Sequence, residues 1–471
     1  MYYLNNTTYN EKTLIGRLRQ YFLIYFETFS VSTADSLFLL IFSILALESA
    51  HSIRFLYHYF LSGITKRSLN VFYYACSYAK VDYSNFMNIT ARTALKLIPD
   101  PLKTHPVFLC VDDTMVSKFG KKFENVSKLF DHAAQNGSNY LNGHCFVSIM
   151  LCVPVLDHDK ISYLSVPLGY GYRMWQKKES KLELAASMIR QVMPEFLSKE
   201  HVIILCDSWY TKKNLVSIID EYPNLDLIGN ARIDSVMYDL APERTGSRGR
   251  PAKHGKRLCV ETDFTFSKEK IGDYYTGVRR VFTKIFGDRE VLAYVTDTEK
   301  GNGTKRLFFS TIFSEDLKVF CTEEEHSSSD QTDHDPVNYI PLLLYAFRWK
   351  IEISYYEQKT FWSFCDYMVR SRKGIEMLVN LINISYCAMK ILPYQDKYFS
   401  KYRTKSVQEF RFELSQEIRK QIFFATFVKN IETHIKSETM INFTNYNSSS
   451  SIKSINNLIT GFVLFGFVTH T

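Results

Sequence analysis

No two of the nine cysteines in this chain stand as a C-x-x-C pair, and no His/Cys cluster keeps the spacing of zinc ligands. An odd count with irregular spacing also argues against a disulfide framework, so a reducing, cytoplasmic setting is expected. The opening MYYLNNTTYNEKT has neither the basic segment nor the apolar stretch of a secretory signal. Long apolar runs are missing as well. Leu37–Leu47 is the most apolar stretch, and it gives way to Glu48, His51 and Arg54. It falls well short of the roughly 20 residues that span a bilayer, and so does the NLITGFVLFGFV near the end of the sequence. No Ser/His/Asp or Cys/His constellation offers a protein nucleophile. Membrane and small-molecule partners are therefore not expected.

What the chain does contain is bulk, a modest positive charge and a few ordered acids. Its 471 residues and 46% hydrophobic content allow a large core. The excess of 57 Lys and Arg over 49 Asp and Glu gives a net charge of +8, which is consistent with a polyanionic partner. The most informative segment is YAFRWKIEISYYEQK, where Tyr345, Arg348, Glu352 and Lys359 recur at helical spacing. At about 100° per residue they fall within an arc of roughly 60°, so one helix would carry all four on one face. A carboxylate bracketed by two cations and a phenol suits a site holding a divalent metal and a nucleic-acid phosphate. Glu357 lies off that face. Two upstream segments supply further acids. Val107–Val111 reads as a buried strand ending in Asp112-Asp113-Thr114, and Val202–Cys206 reads as another ending in Asp207. Acids at the C-terminal tips of strands point into the crevice where open α/β sheets bind ligands. Three carboxylates converging on one point repel unless cations lie between them, as in a two-metal phosphoryl-transfer site.

The spacing Y-x2-R-x3-E-x6-K, matched without a gap by Tyr345, Arg348, Glu352 and Lys359, resembles the signature of DDE transposases of the bacterial insertion-sequence family 4. The segments VDDTM and CDSWYT are similar to the aspartate motifs of that group and of piggyBac-type transposases. The resemblance spans roughly residues 30–395. It implies an α/β fold with an RNase H-like mixed sheet flanked by helices, and Asp112, Asp207 and Glu352 as catalytic metal ligands. Asp113 remains the alternative to Asp112. It further implies two Mg²⁺ ions, with Mn²⁺ able to substitute, and phosphate contacts from Tyr345, Arg348 and Lys359. The activity implied is cut-and-paste transposition: cleavage at the ends of a DNA element and transfer into target DNA. The implied partners are the terminal inverted repeats, the target duplex and a second copy of the chain; the implied location is the bacterial nucleoid. A DNA-binding descendant that no longer cuts, and a nuclease of the same fold without strand transfer, are the alternatives.

The expected organisation follows. Residues 1–100 form a helical DNA-binding region, in which Ser52–Leu61 and Thr65–Ala79 read as a helix-turn-helix with Lys66 and Arg67 opening its second helix. Residues 101–235 form the first part of the core. Residues 236–335 are a mainly β insertion, with strands expected in CVETDFTF, YYTGVRRVFTKIF, EVLAYVTDT and KRLFFSTIF. The insertion carries the basic loop RTGSRGRPAKHGKR, where Arg248, Arg250, Lys253 and Lys256 are expected to touch DNA. An acidic, serine-rich linker with His326 and His334 ends it. Residues 336–395 carry the catalytic helix, and residues 396–471 a helical C-terminal region. Trp209 and Trp349 are candidates for stacking on a displaced base, although core packing is the commoner role at such positions.

Overall fold

The computed structural model describes residues 13–442, apart from 81–82, 84, 121, 132–138, 158–159, 243–251, 301–302 and 314–338. Arg248, Arg250, the acidic linker with its two histidines, and the C-terminal polar and apolar tracts lie outside the described residues. The described residues up to Leu414 make one compact unit, and those from Ser415 belong to a second.

Helices come first: α1 (Leu14–Leu23), α2 (Val31–Ala46), α3 (Ile53–Leu56), α4 (Ser62–Ile64), α5 (Leu69–Ser77) and α6 (Asn85–Leu95). The apolar run of α2 is buried without interruption from Ser36 to Ala46, which makes it a core helix of this layer. The expected helix-turn-helix differs in detail. A π-helical turn at Tyr57–Leu61 separates α3 from α4, and the next helix starts only at Leu69. Arg67 does not open that helix toward solvent. Its guanidinium donates to Ser32 and Ser36 and pairs with Asp35, which ties it to α2.

The rest of the first unit is built on a sheet of eleven strands. In chain order they are β1 (Val107–Ser117), β2 (Ser127–Phe130), β3 (Tyr140–Asp157), β4 (Lys160–Met174), β5 (Val202–Cys206), β6 (Leu225–Ala231), β7 (Met237–Tyr238), β8 (Arg257–Leu258), β9 (Tyr275–Thr283), β10 (Glu290–Asp297) and β11 (Lys305–Ser310). The helices α7 (Lys181–Val192) and α8 (Lys213–Val216) flank β5 in the chain. After β11 come α9 (Ile340–Leu344), α10 (Trp349–Phe361), α11 (Arg372–Gln395) and α12 (Val407–Asn442). The spatial order is β2-β3-β1-β5-β6-β11-β10-β9-β7-β8, with β4 also on β3. β3 runs antiparallel to β1 and β4, while β5 runs parallel to both β1 and β6. The architecture is thus a mixed α/β sheet covered by helices.

Two departures from the sequence reading have identifiable causes. β1 does not stop at Val111. Its parallel partner ends at Cys206, but β3 keeps offering antiparallel partners out to Ser117, so the strand runs on through both acids. Cys259–Phe266 is not a strand, because the Asp263 carboxylate and amide both bond back to the Cys259 backbone and close a turn. The strands β9, β10 and β11, which lie in the stretch expected to be a mainly β insertion, join the same sheet, because β11 pairs antiparallel with β6.

By length and composition α11 is the one described helix apolar enough to cross a membrane, yet 94% of its most apolar window is buried inside the protein. A polar ladder on it explains why. Where β4 pairs with β3, the register jumps between Ser148 and Met150, and Leu168–Gly171 bulge out of the ladder. Their backbone groups need other partners. Asn380 both accepts from Tyr172 N (3.1 Å) and donates to Tyr172 O (2.9 Å). Asn383 donates to Leu168 O at 2.7 Å, Glu376 accepts from Met174 N at 2.9 Å, and the Cys387 thiol donates to Pro167 O at 2.6 Å. Gly169 meets Thr90 of α6, whose hydroxyl accepts its N–H at 3.0 Å. A Cβ there would lie 2.4 Å from that hydroxyl, so only glycine fits. The helix is seated by these bonds, and its apolar remainder fills the core.

Candidate active site

The register between β1 and β5 decides where the first two acids sit. Val111 is paired with Cys206, the last pair of the parallel ladder. The next residue on each strand is an aspartate, so Asp112 and Asp207 emerge side by side at the C-terminal end of that ladder. Asp207 is oriented by the turn behind it: its Oδ1 accepts from Trp209 N at 2.9 Å and Tyr210 N at 3.2 Å. Asp112 accepts from the Asp113 amide at 2.8 Å. Burial, then the charge of Asp207 and that of Asp113, push the Asp112 carboxyl up to about 8. Burial raises Asp207 as well, although two backbone N–H groups and Arg348 pull against it.

Alternate residues of a strand face opposite ways, and the two neighbouring acids of β1 do so here. Phe108, Cys110 and Asp112 share the face covered by the segment Tyr345–Phe361. Phe347 stacks on Phe108 with ring centroids 4.9 Å apart, and its carbonyl accepts from the Cys110 thiol. That contact sets Arg348 directly over Asp112. The guanidinium lies 3.4 Å from Asp112 Oδ2 and 2.5 Å from Glu352 Oε1, so it bridges the two acids. Burial works against its charge, but Tyr345, Glu352 and Asp112 together hold its pKa above the ordinary value. Its Nε is buried with no hydrogen-bond partner.

The segment is not α-helical throughout. Tyr345–Arg348 form a 3₁₀ turn and α10 begins at Trp349, so the 100° wheel does not hold at its start. In a 3₁₀ turn residues three apart eclipse each other, which keeps Tyr345 and Arg348 on one side all the same. The Tyr345 hydroxyl donates to Cys206 O at 3.2 Å, and the Lys359 amine to Met115 O at 2.9 Å. Burial lowers the pKa of Lys359. Between them Tyr355 bonds Ser148, the partner of Asp112 on β3, at 2.6 Å. Glu357 points elsewhere: its carboxylate accepts from the Tyr386 hydroxyl of α11.

Asp113 faces the other side of β1. It accepts from Lys181 Nζ at 2.8 Å, Tyr210 OH at 2.9 Å and the Cys145 thiol at 3.0 Å. Through Tyr210, whose amide also caps Asp207, this group braces the Asp207 turn. Lys181 opens α7, and nothing local in the sequence marks it as a partner of Asp113; the contact is long-range. Tyr210 stands in the CDSWYT segment already singled out. Trp209 and Trp349 are not core residues, being 50% and 58% exposed. Lys212 Nζ lies 3.9 Å from the centre of the Trp209 ring. Of the basic loop, Lys253 faces Asp288 at 3.4 Å and Lys256 faces Asp263 at 2.6 Å, so both have internal counter-ions.

Asp112 and Asp207 offer hard oxygen donors whose mutual repulsion a divalent cation would relieve. Glu352 is turned toward Arg348 instead. Among the described residues no three His, Cys, Asp or Glu side chains stand together as a finished metal cage. The donor chemistry fits a divalent ion at the two aspartates, and Glu352 reaches it only if Arg348 yields.

Residues 75–272 match the family model described as DDE superfamily endonuclease. The matched stretch runs from α5 past β8 and contains Asp112 and Asp207, but not Tyr345–Lys359. No curated protein matches the chain. The match supports a DDE-type nuclease or transposase, an enzyme with DNA as substrate; endonucleases of this superfamily are generally dependent on divalent metals.

Proposed function

We propose that this protein is a DDE transposase of the insertion-sequence family 4 type, which cuts the ends of a DNA element and joins them to target DNA. One observation carries the reading: Asp112 and Asp207 emerge together from the parallel ends of β1 and β5, and the Arg348–Glu352 pair docks on Asp112 from the segment bearing the Y-R-E-K spacing. In this reading β4-β3-β1-β5-β6, antiparallel then parallel, is an RNase H-like core. The strands β7–β11 are the insertion that separates the last acid from the first two.

Asp112, Asp207 and Glu352 would hold two Mg²⁺ ions, for which Mn²⁺ substitutes; when bound they supply Lewis-acid stabilisation of in-line displacement at phosphorus. The chain's own part is to hold the carboxylates in place and to grip phosphates. The backbone amides of Trp209 and Tyr210 fix Asp207, and the Asp113 network braces that turn from the far face. This favours Asp112 over Asp113 as the ligand. Arg348, with a planar fork and a spare buried donor, suits a phosphate beside the cleaved bond. Tyr345 and Lys359 flank it. The helical region 1–100 and the loop residues Arg248 and Arg250 would contact the terminal repeats, Lys253 and Lys256 only if they leave Asp288 and Asp263, and cutting two ends requires at least a homodimer.

A DNA-binding descendant that no longer cuts is the alternative, and the retained acids speak against it. A nuclease without strand transfer differs in one readable respect: its gene would not be flanked by terminal inverted repeats. The test uses purified protein, Mn²⁺ or Mg²⁺, and DNA carrying the repeats that flank the gene. Cutting is expected, along with its loss in EDTA and in Asp207→Ala while DNA binding stays near wild type. Cutting that persists in EDTA or in that variant overturns the metal-dependent mechanism.

A further inference from the structure

Arg348 is the cation that faces both Asp112 and Glu352. Two guanidinium nitrogens of Arg348 are spent on Asp112 and Glu352, and the third, Nε, is buried without a partner. The other two polar residues of the Y-R-E-K spacing, Lys359 and Tyr345, are committed to the carbonyls of Met115 and Cys206. Arg348 is therefore the side chain that neutralises the site as it stands.

Resting on the transposase reading above, we propose that Arg348 is an exchangeable internal counter-ion, so that divalent metal and DNA load together. If Arg348 left alone, Glu352 would lose its partner and Asp112 the cation that stands beside it near Asp207. If a divalent ion entered alone, it would face the guanidinium across the same carboxylates. Only a double exchange keeps every charge paired: the ion replaces the guanidinium on the acids, and a DNA phosphate replaces the acids on the guanidinium. The fork of Arg348, with its unpartnered Nε, matches a phosphate that accepts two parallel bonds. Glu352, released from Arg348, can then turn toward the ion. Because such coupling is reciprocal, DNA tightens metal binding by the factor by which metal tightens DNA binding.

The test measures Mn²⁺ binding to the full chain by electron paramagnetic resonance of the free ion, with and without a short DNA duplex. In wild type the duplex should tighten Mn²⁺ binding by a factor in the usual range of roughly 5 to 150. Arg348→Gln should bind Mn²⁺ without DNA about as tightly as wild type does with it, and gain nothing more from the duplex. Arg348→Lys keeps the charge and should stay weak without DNA. If Arg348→Gln binds no tighter than wild type while Asp207→Ala still loses the ion, the exchange is wrong and the metal site stands. If Asp207→Ala leaves Mn²⁺ binding unchanged throughout, the reading of the site itself fails.

Discussion

Two buried polar clusters sit on successive segments of this chain, and they differ in how their accounts close. On α11 the ladder Glu376, Asn380, Asn383 and Cys387 gives the backbone around the β4 bulge the partners it would otherwise lack. At the start of α10 the balance does not close. Burial raises the pKa of both aspartates, one guanidinium serves two acids, and its Nε has no partner. A satisfied buried network fixes a structure, while an unsatisfied one is held in place by the structure around it and waits for a ligand. Polarity and burial alone do not separate the two; the pairing does.

The largest effect expected from breaking this contrast falls on chemistry. Glu352→Gln should lower metal-dependent cleavage by about 10³-fold or more, equivalent to roughly 4 kcal/mol of barrier. Glu357→Gln, whose partner is Tyr386, should stay within about tenfold of wild type. A dead Glu357 variant beside an active Glu352 variant would place the third ligand on the wrong face. On the scaffold side, Asn380→Ala strands the amide and carbonyl of Tyr172 and should cost about 3 kcal/mol of stability in a denaturant titration. A loss of only a few tenths would mean that the ladder does not seat the helix.

A further effect comes from pH. The Asp112 carboxyl is raised in the folded chain, so the folded state keeps a proton that the unfolded chain releases. Stability is therefore lost as pH rises from the ordinary 3.8 through about 8, and levels off above that. Without metal, Tm should fall across that window, and Asp112→Asn should flatten the fall. Added Mn²⁺ should raise Tm more on the alkaline side, since its ligands must be deprotonated. A metal effect that is greatest in acid would contradict the assignment.

How much of this was legible beforehand depended on whether the signal was local. The apolar runs Val107–Val111 and Val202–Cys206 announced buried strands, and the acids that follow them marked the ends of the parallel ladder. The spacing of Tyr345, Arg348 and Glu352 announced a shared face, although a 3₁₀ turn, not an α-helix, brings the first two round. What could not be read was set by distant partners. β1 continues past its acids because β3 does. Lys181 reaches Asp113 from another helix, and Arg67 is drawn back to α2. The bulge in β4 that explains the polar residues of α11 leaves no mark on the helix's own periodicity.

The basic loop should give the smallest effect. Each phosphate neutralised by Lys or Arg contributes about 0.9 to the slope of log K against log salt. With Lys253 and Lys256 already facing Asp288 and Asp263, replacing Arg248, Arg250, Lys253 and Lys256 by alanine should flatten the slope by about 2, not 4. Cleavage at saturating protein should stay near wild type. An unchanged slope would shift the DNA contact to other parts of the chain.

The central claim is that neighbouring acids on opposite faces of one strand have different work, Asp112 in the chemistry and Asp113 in the scaffold. The direct test compares Asp112→Asn with Asp113→Asn, measuring Mn²⁺-dependent cleavage and thermal stability on the same preparations. Asp112→Asn should be inactive and at least as stable as wild type, because it removes a carboxyl whose ionisation burial opposes. Asp113→Asn should keep measurable cleavage and melt lower, because Lys181 and Tyr210 lose their anionic partner. An active Asp112 variant beside an inactive, fully stable Asp113 variant would contradict the account.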